Sequence, residues 1–178
     1  MDKGILWRGG LILVFGLVIW FGYSLSGDMR DGAKARSGKF YDKAIAIYEP
    51  IAENGSSIPF WNPQTKAQQE IGHIHAFRDD GQDNWEEAVK WWSRASKGGS
   101  VVSQFAIAQA YKSGQGVEES LENAYVWAMV AGDKKSKSQN RYLVDARNSA
   151  KALSADQIAS AEKAIKACID SDFVDCPY

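Results

Sequence analysis

The chain carries few of the side chains that enzymes use. Its 178 residues include two histidines, His73 and His75, and two cysteines, Cys168 and Cys176. No Ser/His/Asp arrangement, metal-ligand spacing or phosphate loop with its Lys-Ser/Thr ending occurs, so nothing points to an active site, a small-molecule substrate or a cofactor. On a helix the two histidines would face different directions and could not share a metal. The acidic pairs Asp79-Asp80 and Glu86-Glu87 read as a polar turn and a first helical turn, where the helix dipole favours negative charge. Charge of one sign is lacking too: Lys plus Arg number 21, Asp plus Glu 22, and the formal net charge is −1. A near-neutral body with no basic stripe argues against nucleic acid as a partner. No segment alternates with the two-residue period of a strand, which leaves an all-α chain. Trp and Tyr are plentiful at seven each, and both suit helix-pair interfaces and protein-binding surfaces.

There is one long hydrophobic run. No residue from Gly9 to Gly27 is charged, and as a helix rising about 1.5 Å per residue the run nearly crosses a hydrocarbon core of roughly 30 Å. Lys3 and Arg8 precede it, and Trp7, Trp20 and Tyr23 sit near its ends as interfacial anchors would. Two readings fit. One is a cleaved signal peptide, with Ser24 and Ser26 bracketing Leu25 as the cleavage site; the other is an uncleaved signal anchor, favoured by the length of the run and by bulky Trp20-Phe21. The basic residues after the run (Arg30, Lys34, Arg36, Lys39 and Lys43) would by simple count keep the body in the cytoplasm. Long domains, however, translocate largely regardless of such counts, and Asp28, Asp31 and Asp42 are interspersed among those residues. The signal-like layout favours export. The expectation is residues 1–27 as a transmembrane or signal helix in a bacterial inner membrane and residues 28–178 as a periplasmic domain, with a soluble periplasmic form after cleavage as the alternative.

Beyond the run the chain reads as eight helices, the first a short one that ends at a glycine-containing break near Gly38. Phe40, Ala44, Ile47, Tyr48 and Ile51 recur at helical spacing, with Pro50 inside the pattern and Asn54-Gly55 as the stop. A proline- and aromatic-rich loop holding Phe60 and Trp61 follows. Asn62 as cap and Pro63 in the first turn then open a helix to Phe77. Asn84 with Glu87 opens the next, stopped by Gly98-Gly99. Helices over Val101–Lys112 and Ser120–Ala131, the latter stopped by Gly132, lead to another near Arg141–Leu153 and a last one opened by Ser154 and Gln157 and ending near Asp170. Cys168 and Cys176 flank the end of that last helix. A tail that turns back could bring them to disulfide geometry, while a cytoplasmic location would leave two free thiols.

Two stretches repeat one another: Ile71-Gly72 answers to Ile107-Ala108, and Ala88, Trp91 and Ala95 answer to Ala124, Trp127 and Ala131, 36 residues on. A fixed period in the thirties marks stacked helix pairs, none of which can bury its apolar face alone. The second copy carries Tyr111, Gly114, Gly116, Val117 and Trp127 at the spacing of the Sel-1-like repeat, a relative of the tetratricopeptide repeat, and the chain resembles that family over roughly residues 33–168. It departs from the family pattern at Ser103, Ala108, Ser120 and Asn123. The first copy is looser, with His75 in place of the Tyr. The resemblance implies a right-handed α-solenoid of antiparallel helix pairs that binds a partner protein rather than catalysing a reaction. It also implies a concave groove lined by the first helix of each pair: Lys66, Gln69, His73 and Phe77, then Val102, Phe105, Gln109 and Lys112, then Arg141, Asp145 and Asn148. Phe77 and Phe105 are the expected anchors, with burial between repeats as the competing role for each. The Phe60-Trp61 loop is a second candidate surface. Some bacterial relatives act as immunity proteins against secreted phospholipase toxins. Scaffolding of an envelope complex fits the same residues equally well, while binding of cell-wall glycans or an enzymatic role fits them less well.

Overall fold

The computed structural model of the chain describes residues 26–55, 62–133 and 139–178. The apolar N-terminal run, but for Ser26 and Gly27, lies outside the described residues, as do Phe60 and Trp61. Helix is the only regular structure among the described residues: α1 (residues 26–37), α2 (Tyr41–Asn54), α3 (Pro63–Phe77), α4 (Trp85–Lys97), α5 (Val101–Ser113), α6 (Leu121–Asp133), α7 (Gln139–Ala150) and α8 (Ala155–Asp170). Within those limits no helix is long and apolar enough to cross a membrane.

Local chemistry sets most of the boundaries. The first N–H groups of a helix lack intrahelical partners, and a polar side chain just ahead supplies one. Asn62 accepts from the Thr65 amide at 3.0 Å, Asn84 from Glu87 at 3.1 Å, Ser100 from Ser103 at 3.2 Å and Ser120 from Asn123 at 3.2 Å. At α8 the exchange is reciprocal: Ser154 accepts from the Gln157 amide, and the Gln157 side chain accepts from the Ser154 amide. The link from α5 to α6 needs glycine. Gly114 and Gly116 hold φ of 66° and 72°, and a Cβ on Gly116 would lie 2.3 Å from the Trp85 carbonyl oxygen. Pro50 lies within α2, which nonetheless continues to Asn54.

Two boundaries differ from the sequence expectation, both for tertiary reasons. Helix α6 runs through Gly132 to Asp133 instead of stopping there. Gly132 is buried under α7, where a Cβ would come within 2.7 Å of Leu143, so the residue serves close packing rather than termination. Helix α7 ends at Ala150, and a tight turn from Ser149 to Leu153 delivers Ser154 to its capping position.

Each helix from α2 to α7 packs chiefly on its neighbours in sequence, and α8 returns to α6. The result is a serial stack with two cores. Ala44, Tyr48, Ile51, Ala67, Ile71, Ile74 and Trp91 form the first. Trp92, Ile107, Tyr111, Val126, Trp127 and Val130, with Phe173 and Cys168 beyond them, belong to the second. Helix α4 is the seam, since adjacent Trp91 and Trp92 point into different cores. Small residues set the spacing: a Cβ on Gly72 of α3 would meet the Trp92 indole at 2.5 Å. Trp127 is wholly buried, and truncating such a residue costs about 3–5 kcal/mol.

The stack is tied at both ends. The buried Arg78 side chain, just after α3, reaches Asp42 of α2 at 3.0 Å and Asp80 at 2.6 Å and lies beside the Tyr41 ring. At the other end the chain turns back after α8. The Cys168 and Cys176 sulfurs are within disulfide-bonding distance, with Cα atoms 4.5 Å apart, which realises the turned-back tail among the alternatives open in the sequence. The Trp127 indole N–H donates to the Pro177 carbonyl at 2.8 Å. The Tyr178 ring lies 5.2 Å from Trp127, and its hydroxyl is 3.0 Å from the Ser96 hydroxyl on α4.

Candidate functional site: an aromatic groove with a cationic end

Helices α3, α4, α5 and α7 together enclose an open groove of about 590 Å³. The last two turns of α3 contribute His73 and Phe77, and α4 contributes Trp85 and Trp92. Val102, Phe105, Ala106, Gln109, Lys112 and Ser113 come from α5, with Gln115 just beyond it and Arg141 from α7.

One end of the groove is a cluster of rings. Trp92 is buried and seated directly on Gly72, which fixes it as the floor. Phe77 stands over it 61% exposed. Its ring meets Trp85 edge-on at 5.1 Å and lies 6.2 Å from Trp92 and 6.0 Å from His73. Edge-to-face pairs of this kind are favoured by the ring quadrupole and add about 0.5–1.5 kcal/mol beyond area burial. Phe77 is therefore held in place although most of it faces water.

His73 carries a choice of tautomer. Its Nδ1 lies 2.8 Å from the Gln69 carbonyl oxygen and 3.3 Å from the Trp92 Nε1. A carbonyl only accepts and an indole N–H only donates, so one nitrogen cannot satisfy both. The shorter contact assigns the proton to Nδ1, leaving Nε2 as an acceptor. Burial pushes the imidazole below its ordinary value, with the Gln69 carbonyl opposing, so the ring is neutral at physiological pH.

The other end is cationic. The Arg141 guanidinium lies 5.3 Å over the Phe105 ring, and that ring packs 4.5 Å from Tyr142. Lys112 reaches Asp145 at 3.4 Å. Among the described residues no Asp or Glu lines the groove itself.

Of the residues expected from the sequence, His73, Phe77, Val102, Phe105, Gln109, Lys112 and Arg141 come together here. Four others do not line the groove. Lys66 pairs with Glu70 at 2.6 Å, Gln69 accepts from the Ser100 hydroxyl at 3.0 Å, Asp145 answers Lys112, and Asn148 accepts from Lys151 at 3.0 Å. The two expected anchors also separate. Phe77 is exposed, whereas Phe105 is only 9% exposed, because Tyr142 and Arg141 of α7 cover it; Phe105 is a wall of the groove rather than a free anchor. Sequence reasoning missed Trp85, Trp92, Ala106, Ser113 and Gln115. A signal for the two tryptophans was present: one period on, Trp85 becomes Leu121 and Trp92 becomes Ala128. The first copy thus carries rings that the second does not need for packing.

Neither protein-family models nor curated proteins match this chain. Among the described residues no group of three or more His, Cys, Asp or Glu side chains is placed to hold a metal ion.

Proposed function

We propose that this chain is a non-enzymatic protein-binding module, a right-handed solenoid of Sel-1-like helix pairs over residues 28–178 that holds one partner protein in the groove between α3 and α5. The apolar N-terminal run tethers it to, or exports it across, a bacterial inner membrane, with the repeat domain in the periplasm. The observation that carries this reading is Phe77, 61% exposed yet fixed by Trp85, Trp92 and His73. Binding energy concentrates in aromatic anchors on rigid elements, because little side-chain entropy is lost on contact. The small size of the groove suits a single dedicated partner, as for an immunity protein that neutralises a secreted phospholipase toxin, better than a broad scaffold.

The test is cross-linked capture from native membranes with wild type, Phe77→Ala and Phe105→Ala. Phe77→Ala keeps the wild-type melting temperature within a few degrees and loses the partner. Phe105→Ala loses about 3–5 kcal/mol of stability, the range for truncating a buried phenylalanine. A partner set unchanged by Phe77→Ala overturns the groove assignment.

A further inference from the structure

The groove is chemically two-ended, and its two ends together specify what fills it. We infer that it takes a peptide segment of the partner in which an Asp or Glu side chain lies beside a large apolar side chain, the carboxylate on Arg141 and the apolar group on the Phe77 cluster. This rests on the proposed function and adds the chemistry of the partner to it.

The charge argument starts from the lining. His73 is neutral, and among the described residues the only formal charges lining the groove belong to Lys112 and Arg141, with no carboxylate beside them. Lys112 is already answered by Asp145. Arg141 has no ion pair among the described residues. Its contact is the face of Phe105, and Phe105 is itself held by Tyr142. A guanidinium laid on a ring keeps its N–H edge free for a planar, two-pronged acceptor, and stacking removes much of the rotamer freedom that binding would otherwise have to freeze. That geometry suits a carboxylate and is poorly matched by a hydroxyl or an amide.

The apolar argument is separate. The Phe77, Trp85, Trp92 and His73 rings form one contiguous surface whose outer member is mostly in water. A large aliphatic or aromatic side chain laid there removes apolar area on both partners. The acceptor site is built from side chains rather than from a nest of backbone N–H groups, the usual receptor for a chain terminus. An internal acidic residue is therefore the occupant, not a free C-terminal carboxylate.

The experiment pans a random dodecapeptide phage library on the full-length chain in detergent micelles and measures the selected peptides by fluorescence polarisation. The receptors are wild type, Phe77→Ala, Arg141→Gln and Arg141→Lys, each checked for helicity and melting temperature. Selected peptides are expected to pair an Asp or Glu with Trp, Phe, Leu or Ile. Arg141→Gln weakens them about tenfold, Arg141→Lys by less, and Phe77→Ala tenfold or more. Changing the peptide's acid to its amide produces the same loss as Arg141→Gln, and the two losses do not add, as expected for a direct pair. Enrichment that survives Arg141→Gln but not Phe77→Ala refutes the carboxylate assignment and leaves the groove reading standing. Binding indifferent to both variants refutes both. Peptides without an acid, peptides whose only carboxylate is the chain terminus, or no enrichment over bare matrix, likewise overturn the inference.

Discussion

Replacing Gly72 by Ala tests how the groove floor is built, and the expected sign opposes helix propensity. Gly72 lies inside α3, where Ala is favoured over Gly by about 0.5–1 kcal/mol. On propensity alone the variant is more stable. Packing says otherwise. The new Cβ would lie 2.5 Å from Trp92 Cδ1, 2.6 Å from its Nε1 and 3.1 Å from the Ala88 carbonyl oxygen. Trp92 is 1% exposed and cannot swing aside, and the Ala88 oxygen is backbone of α4, so α3 and α4 must move apart. Overpacking of this kind costs about 1–3 kcal/mol, and displacement of a whole helix puts Gly72→Ala near the upper end. The net expectation is a loss of about 2 kcal/mol once the propensity gain is subtracted. Urea unfolding followed by circular dichroism and tryptophan fluorescence measures it, with a lower midpoint at unchanged slope. A cycle with Trp92→Phe adds a control: the smaller ring relieves the Nε1 contact, so the Gly72→Ala penalty shrinks in that background. A midpoint at or above wild type for Gly72→Ala refutes the close-approach argument, and with it the account of why Trp92 forms the floor.

Two further predictions concern the tail and pH. Reducing the Cys168–Cys176 bond, which closes a short loop, removes about 2–3 kcal/mol; it lowers the melting temperature and changes Trp127 fluorescence as Pro177 and Tyr178 detach, and a melt unaltered by reductant contradicts the tie. Burial holds both His73 and His75 below the ordinary imidazole value of 6.5. The unfolded chain therefore takes up protons first as pH falls, so this contribution is complete above about pH 6.5 and is lost progressively below it, down to the folded-state values. Urea midpoints from pH 7.5 to 5 should fall on the acid side, and His73→Gln with His75→Gln should flatten that limb; an equally steep limb in the double variant assigns it to other groups.

Much of the stack was legible because its determinants are local. Asn62, Asn84 and Ser154 cap where short-range chemistry says they should, and Gly114 and Gly116 turn where only glycine turns easily. The register that links Ile71 to Ile107 also carried His73, Phe77 and Phe105 to one groove. What failed was set by contacts remote in sequence. Gly132 reads as a helix stop until Leu143 is seen to pack on it. Phe105 reads as a free anchor until α7 places Tyr142 and Arg141 over it. Trp92 escaped notice because it departs from the repeat, and a search for agreement between copies passes over the positions where they differ. Those positions, Trp85 and Trp92 against Leu121 and Ala128, are where the groove acquires its character.

The folded-back tail bears on how the stack comes apart. A row of helices that touch mainly their neighbours can peel from either end, one layer at a time. Here the tail spans layers: Tyr178 meets Ser96 on α4 and Pro177 meets Trp127 on α6, so the C-terminal layers come off only after that clasp opens. Peeling is thereby directed to begin at α1 and α2, where the ties of Arg78 to Asp42 must open first. A pull on that end would therefore reach α3, and with it the Phe77 side of the aromatic groove, before the layers from α4 to α6 that the tail clasps together.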